Sequence, residues 1–131
     1  MKPRFISDIH LSENNSHLTN AFKRFLNESK ESCSHLFILG DLFEAWIGDD
    51  NNNAYHQEIK ELLIEFTKNG PETFFIHGNR DFLIGQDFAK EVGISLLPDP
   101  YTIDINGLKV ILSHGDFLCT DDLDCINFRA L

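Results

Sequence analysis

Four short polar turns in this chain each follow an apolar run, and each carries side chains able to bind a metal ion. They are Phe5-Ile6-Ser7-Asp8-Ile9-His10, Leu39-Gly40-Asp41, His77-Gly78-Asn79-Arg80-Asp81 and Ser113-His114-Gly115-Asp116. The donors on offer are carboxylate, imidazole and amide, which suit hard or borderline divalent cations. Two such ions sharing a carboxylate are a standard device for hydrolysing phosphate esters and anhydrides. Asp8 and His10 stand two residues apart at a strand end, so both side chains are predicted to leave one face and chelate one ion. Asp41 follows Gly40, which permits a tight turn, and its two oxygens could bridge two ions. Asn79 adds a neutral carbonyl oxygen and His114 a ring nitrogen. Neutral ligands keep the site positive, which favours polarising a phosphate. Taken singly, His10 or His114 is more often a hydrogen-bonded turn residue, and Gly40-Asp41 more often a plain turn. Four turns that each end a strand-like run with such a donor point instead to loops converging on one edge of a sheet.

The elements that must hold these turns alternate along the chain. Phe5-Ile6 is a short strand. Leu18, Phe22, Phe25 and Leu26 have helical spacing and predict an amphipathic helix from about Leu18 to Ser32. Leu36-Phe37-Ile38-Leu39 is a continuous apolar run, as in a parallel strand covered on both faces. Tyr55, Ile59, Leu62, Leu63 and Phe66 mark a second helix, with Asn53 as N-cap and Gly70-Pro71 as its stop. Thr73 to Ile76 is a strand, Gln86 to Val92 a short helix ended by Gly93, and Ile94 to Leu97 a short strand. Tyr101 to Ile105 and Leu108 to Leu112 flank Asn106-Gly107, a hairpin signal. The order is βαβαβαβ followed by a hairpin, so the predicted class is α/β with a mixed sheet. Asn51-Asn52-Asn53 is a polar loop.

Composition narrows the function. With 131 residues the chain fits one domain with a buried core. Its formal charge of −10 leaves no basic surplus for a nucleic-acid backbone or for simple docking on anionic lipid. Cys33, Cys119 and Cys125 are odd in number with no Cys-x-x-Cys pair, which fits a reducing cytoplasm. Met1 to Asp8 has no long apolar region before its first acid, so a signal peptide is not expected. No stretch reaches the roughly 20 apolar residues of a membrane helix, so contact with lipid is expected to be peripheral.

Asp8-x-His10, Gly40-Asp41, Gly78-Asn79-x-Asp81 and His114-Gly115 resemble, in order, the motifs of the calcineurin-like metallophosphoesterases. Longer stretches sharpen the likeness: Phe5 to Leu11, Gly40-Asp41-Leu42-Phe43-Glu44-Ala45-Trp46-Ile47-Gly48-Asp49-Asp50, His77 to Leu83, and Ser113-His114-Gly115-Asp116 with Leu118-Cys119-Thr120-Asp121-Asp122. These resemble the UDP-2,3-diacylglucosamine hydrolases of lipid A biosynthesis. The resemblance implies mixed β-sheet layers flanked by helices and a pair of Mn²⁺ ions. Asp8 and His10 would bind one ion, Asp41 would bridge both, and Asn79 and His114 would bind the second. Asn79 and Arg80 would meet the substrate's diphosphate, and Asp122 would also contact substrate. A metal-activated water held at Asp41 would attack the α-phosphorus, releasing UMP and 2,3-diacylglucosamine 1-phosphate. Such a lipid substrate implies work at the cytoplasmic face of a bacterial inner membrane.

Arg80 carries an independent inference. Many relatives have histidine there, able to protonate an alkoxide leaving group. Arginine cannot give up a proton near neutral pH, but its fork grips phosphate oxygens. A leaving phosphate needs no proton, so Arg80 favours anhydride cleavage over cleavage to an alcohol.

Other groups stay open at this level. His77, Asp81 and Asp116 could orient ligands or simply order turns. His17, His35 and His56 are expected to be structural or exposed. Asp49, Asp50 and Asp121 read better as solvated acids. Phe43, Trp46 and Ile47 could receive acyl chains, though a core contact is favoured. The family also carries a Gly-His-x-His motif, one histidine for each ion, and a lid-like helical segment. Neither occurs in residues 1–131. The expectation is therefore the N-terminal portion of a single metallophosphoesterase domain, truncated, with weaker metal binding, poor hydrolysis and an uncovered sheet edge prone to aggregation. The alternatives are another metallophosphoesterase acting on nucleotides or phosphodiesters, and a non-catalytic domain that keeps the fold for binding.

Overall fold

The computed structural model describes residues 2–44, 54–78 and 84–114. Its elements are β1 (Pro3–Ile6), α1 (Ser16–Ser32), β2 (His35–Leu39), α2 (Ala54–Lys68), β3 (Glu72–Ile76), α3 (Gln86–Val92), β4 (Ser95–Leu96), β5 (Tyr101–Ile105) and β6 (Leu108–Leu112). β1 to β4 form one sheet in sequential order, and every neighbouring pair is parallel. β5 and β6 form a separate antiparallel pair. The predicted element order is thus seen, with the two strand directions divided between sheets.

Alternating side chains of the sheet feed two cores. Leu36 and Ile38 of β2 and Phe75 of β3 pack with Phe22 and Leu26 of α1, Ile59 and Leu63 of α2, and Phe88 and Val92 of α3. The intervening Phe37, Leu39 and Ile76 pack instead with Leu112, Ile103 and Val110 of the hairpin. Helices therefore cover one face and the hairpin the other. Sequential strand order explains this, because right-handed crossovers that always step the same way leave every helix on one side. Burial from both sides explains why β2 reads as an unbroken apolar run. On the hairpin face Phe5, Phe37 and Phe74 stack across three strands, with ring centroids 5.3 and 5.0 Å apart.

Local signals account for several element ends. The Asn15 side chain accepts from the Leu18 N–H at 3.3 Å, so α1 starts two residues before the apolar spacing begins. Gly93 ends α3 in the left-handed region, φ 79°. Asn106 and Gly107 both have positive φ, 53° and 87°, as a two-residue hairpin turn of the primed kind requires. Asn53 lies outside the described residues. Phe43 is fully buried, edge-on to Phe88 and His56, which makes it a core contact; Trp46 and Ile47 lie outside the described residues. Among the described residues no helix is long and apolar enough to cross a membrane.

Candidate metal centre

The parallel sheet sends the chain past the carboxyl ends of β1, β2 and β3 into loops, the edge where ligands bind in such sheets. Asp8 and His10 stand beyond β1, which ends at Ile6. They meet, but strand alternation is not the cause. Both have a left-handed backbone, φ 56° and 54°, and Asp41 shares it at φ 52°. Non-glycine residues seldom adopt this conformation, Asp, Asn and His being the commoner exceptions. Each costs on the order of 1–3 kcal/mol and persists only where its surroundings impose it.

Those surroundings are a backbone zipper between two loops. The Asp8 N–H donates to the Gly40 carbonyl at 3.1 Å, His10 to Asp41 at 3.0 Å and Leu11 to Leu42 at 2.8 Å. The Glu44 N–H returns to the Leu11 carbonyl at 2.9 Å. Leu11 and Phe43 form a parallel bridge, and both are buried. Two glycines let the neighbouring loops close in. A Cβ on Gly40, whose φ is 86°, would lie 2.5 Å from Nδ1 of His114 and 2.8 Å from Cα of Gly78. A Cβ on Gly78 would run into the carboxylate and amide of Asp41.

Four of the predicted ligands come together as a result. His10 Nε2 is 3.9 Å from Asp8 Oδ1 and 3.8 Å from Asp41 Oδ2. His114 Nε2 is 3.4 Å from the same Asp41 oxygen. One ligating atom each from Asp8, His10 and Asp41 lie within 4.8 Å of one another. Asp41 and His114 are buried, His10 half-buried and Asp8 exposed. The remaining predicted site residues, Asn79, Arg80 and Asp122, lie outside the described residues, as do Asp49, Asp50, Asp81, Asp116 and Asp121.

The set fits a cation on chemical grounds. His114 Nδ1 is 3.0 Å from the Leu39 carbonyl, which can only accept, so Nδ1 carries the hydrogen. In the neutral ring Nε2 then presents a lone pair to the Asp41 carboxylate. Lone pairs facing each other at 3.4 Å repel unless positive charge lies between them. Oxygen and imidazole donors of this kind suit Mn²⁺, Fe, Zn²⁺ or Mg²⁺.

Among the described residues, Glu44 and Asp99 also bring carboxylates to the site. Glu44 Oε2 is 3.0 Å from Nδ1 of His10. Asp99 Oδ1 accepts from Ser113 Oγ at 2.5 Å, and its Oδ2 faces the His114 N–H at 3.4 Å. Neither stands out in the sequence as a site residue. Glu44 carried one available signal, a carboxylate three residues after Asp41. Asp99 lies fifteen residues from His114, and nothing local marks it. His77 bonds through Nε2 to the Ile84 carbonyl with its ring edge-on to Phe75, tying together the two ends of the span that contains Asn79 and Arg80. His17 is exposed on α1, His35 of β2 lies beside the Phe37 and Phe74 rings with its plane near-parallel to both, and His56 packs on Phe43.

The model of the calcineurin-like phosphoesterase family matches residues 1–131. The chain belongs to this family. Among curated relatives it is 47% identical over 130 residues to a UDP-2,3-diacylglucosamine hydrolase of Stenotrophomonas maltophilia, covering 99% of this chain and 52% of the relative. Hydrolases of the same name from Photorhabdus laumondii and Aeromonas salmonicida are 52% identical over 118 residues and 50% identical over 131. Those matches cover 90% and 100% of this chain, and 49% and 52% of the relatives. The chain thus spans about half the length of the curated relatives it matches. The fold of this chain also resembles two solved structures. One is the Pseudomonas putida nuclease MPE, with TM-score 0.56, 22% identity, and coverage of 77% of this chain and 50% of that one. The other is an Aquifex aeolicus protein of unknown function, with TM-score 0.55, 20% identity, and coverage of 98% and 70%.

Proposed function

We propose that the protein carrying this chain hydrolyses the diphosphate of UDP-2,3-diacylglucosamine, giving UMP and 2,3-diacylglucosamine 1-phosphate in lipid A biosynthesis, and that residues 1–131 form part of one metallophosphoesterase domain. The observation that carries the chemistry is the convergence of two imidazole Nε2 atoms on one buried carboxylate, Asp41, at 3.8 and 3.4 Å. The relatives' names support the substrate. When bound, a divalent pair, Mn²⁺ in this reading, offsets charge on the phosphate oxygens and lowers the pKa of water. Asp8 and His10 would hold one ion and Asn79 and His114 the other, with the Asp41 carboxylate available to both. The Leu39 carbonyl keeps His114 in the tautomer that presents Nε2. Arg80 and the Asn79 amide bind the diphosphate, and Asp122 touches the substrate. Arg80 stabilises charge on the departing phosphate without supplying a proton. A substrate with acyl chains places the reaction at the cytoplasmic face of the inner membrane, by peripheral contact.

The test compares UDP-2,3-diacylglucosamine with a nitrophenyl phosphodiester, using natively expressed protein with Mn²⁺. Strong preference for the diphosphate is expected. Arg80→Ala should cut kcat/KM about 10- to 100-fold, from the ~1.5–3 kcal/mol of a hydrogen bond to a charged group, and Arg80→His should cut it less. Equal turnover of both substrates, or an undiminished alanine variant, would overturn the reading.

A further inference from the structure

The geometry points to Glu44 as the positioning residue that sets how His10 faces the metal site. The inference rests on the metal-site reading above and adds a residue to it. The His10 ring has one nitrogen at hydrogen-bond distance and one that is not. Nδ1 lies 3.0 Å from Glu44 Oε2, while Nε2 lies 3.9 and 3.8 Å from Asp8 and Asp41. With Nδ1–H donated to Glu44, Nε2 is left as the lone pair that enters the site.

Glu44 holds that place through its backbone. Its N–H is bonded to the Leu11 carbonyl, and Leu11, next to His10, is bonded back to Leu42. The flanking Leu11–Phe43 bridge is buried in the helix-side core. The two imidazoles of the site therefore share one tautomer, set by different acceptors: the neutral Leu39 carbonyl for His114 and a carboxylate for His10. A carboxylate also makes the ring a stronger donor to a cation, and removing such a partner typically weakens metal binding about 10- to 100-fold.

The experiment titrates Mn²⁺ into the natively expressed protein and into its Glu44→Ala, Glu44→Gln and His10→Ala variants, by calorimetry. Zn²⁺-loaded protein is then used for ¹⁵N NMR of the His10 ring. Glu44→Ala should weaken Mn²⁺ binding about 10-fold or more. Glu44→Gln, which keeps an acceptor oxygen but loses the charge, should fall between, and it carries the test should the alanine variant fail to fold. The ring should show a protonated Nδ1 and a coordinated Nε2, with Nδ1–H exchanging faster in the alanine variant. Coordination through Nδ1 would overturn the assignment. So would Mn²⁺ affinity within twofold in both Glu44 variants while His10→Ala binds weakly. If His10→Ala itself leaves Mn²⁺ binding unchanged, the metal-site reading fails first and the role of Glu44 falls with it.

Discussion

Three glycines separate the cost of backbone strain from the cost of crowding the site, and each can be replaced by alanine. Gly107 has φ 87° in the hairpin turn, and a Cβ there would meet nothing within 4 Å. Gly107→Ala therefore pays only the left-handed penalty of ~1–2 kcal/mol, offset by ~0.4–1 kcal/mol from a less flexible unfolded chain. The net is between about 0 and 1.6 kcal/mol. Gly78 carries no left-handed strain, but its Cβ would run into the carboxylate and backbone of Asp41. Overpacking of that kind costs ~1–3 kcal/mol, and here the displaced atoms are those of the proposed central ligand. Gly40 combines both burdens, φ 86° and contacts at 2.5 and 2.8 Å to His114 and Gly78, so Gly40→Ala should cost about 1–4.6 kcal/mol after the same unfolded-chain offset. Urea unfolding with an unchanged slope measures the stabilities, and a Mn²⁺ titration measures the site. The expected order of destabilisation is Gly40, Gly78, Gly107, with Mn²⁺ binding weakened in the first two and untouched in the third. Gly78→Ala that binds Mn²⁺ normally and unfolds like Gly107→Ala would refute the reasoning, since the loops would then not be packed backbone to backbone around Asp41.

Two further outcomes follow from the site and its surroundings. Asp41→Asn removes the carboxylate that both imidazoles face. It should lower Mn²⁺ affinity by more than the roughly 10- to 100-fold that loss of an outer partner costs; a titration matching that of the unsubstituted protein would remove Asp41 from the ligand set. Burial, helped by nearby Lys60 and opposed by Glu13, holds the His56 imidazole below its ordinary value of 6.5. As pH falls below about 6.5 the unfolded chain takes up that proton first, so His56 subtracts stability there and has no effect above it. His56→Gln should flatten the loss of unfolding free energy between about pH 7 and pH 5, and parallel curves for the two proteins would show that His56 is not the group responsible.

Local pattern revealed most of the elements. The unbroken apolar run at Leu36 to Leu39, the helical spacing of Ile59, Leu63 and Phe66, and Asn106-Gly107 each correspond to an observed element. This works because strand burial, helix amphipathicity and turn conformation are decided within a few residues. α1 begins two residues before its apolar spacing because the capping side chain, Asn15, precedes the periodicity that signals a helix.

The identity of the candidate ligands was also present in the chain itself, since Asp8, His10, Asp41 and His114 are recognisable by donor type at the ends of apolar runs. How they meet was not. Strand alternation was the expected device, whereas left-handed backbone at Asp8, His10 and Asp41, held by hydrogen bonds between two distant loops, is the one observed. Such conformations are costly in isolation and exist only where tertiary contacts impose them. The same holds for tautomers and outer partners. A ring nitrogen is committed by whichever acceptor lies beside it, and for His10 and His114 those acceptors belong to residues 34 and 75 positions away, Glu44 and Leu39. Donor chemistry is a property of the residue, but the direction in which a donor points is a property of the packed chain.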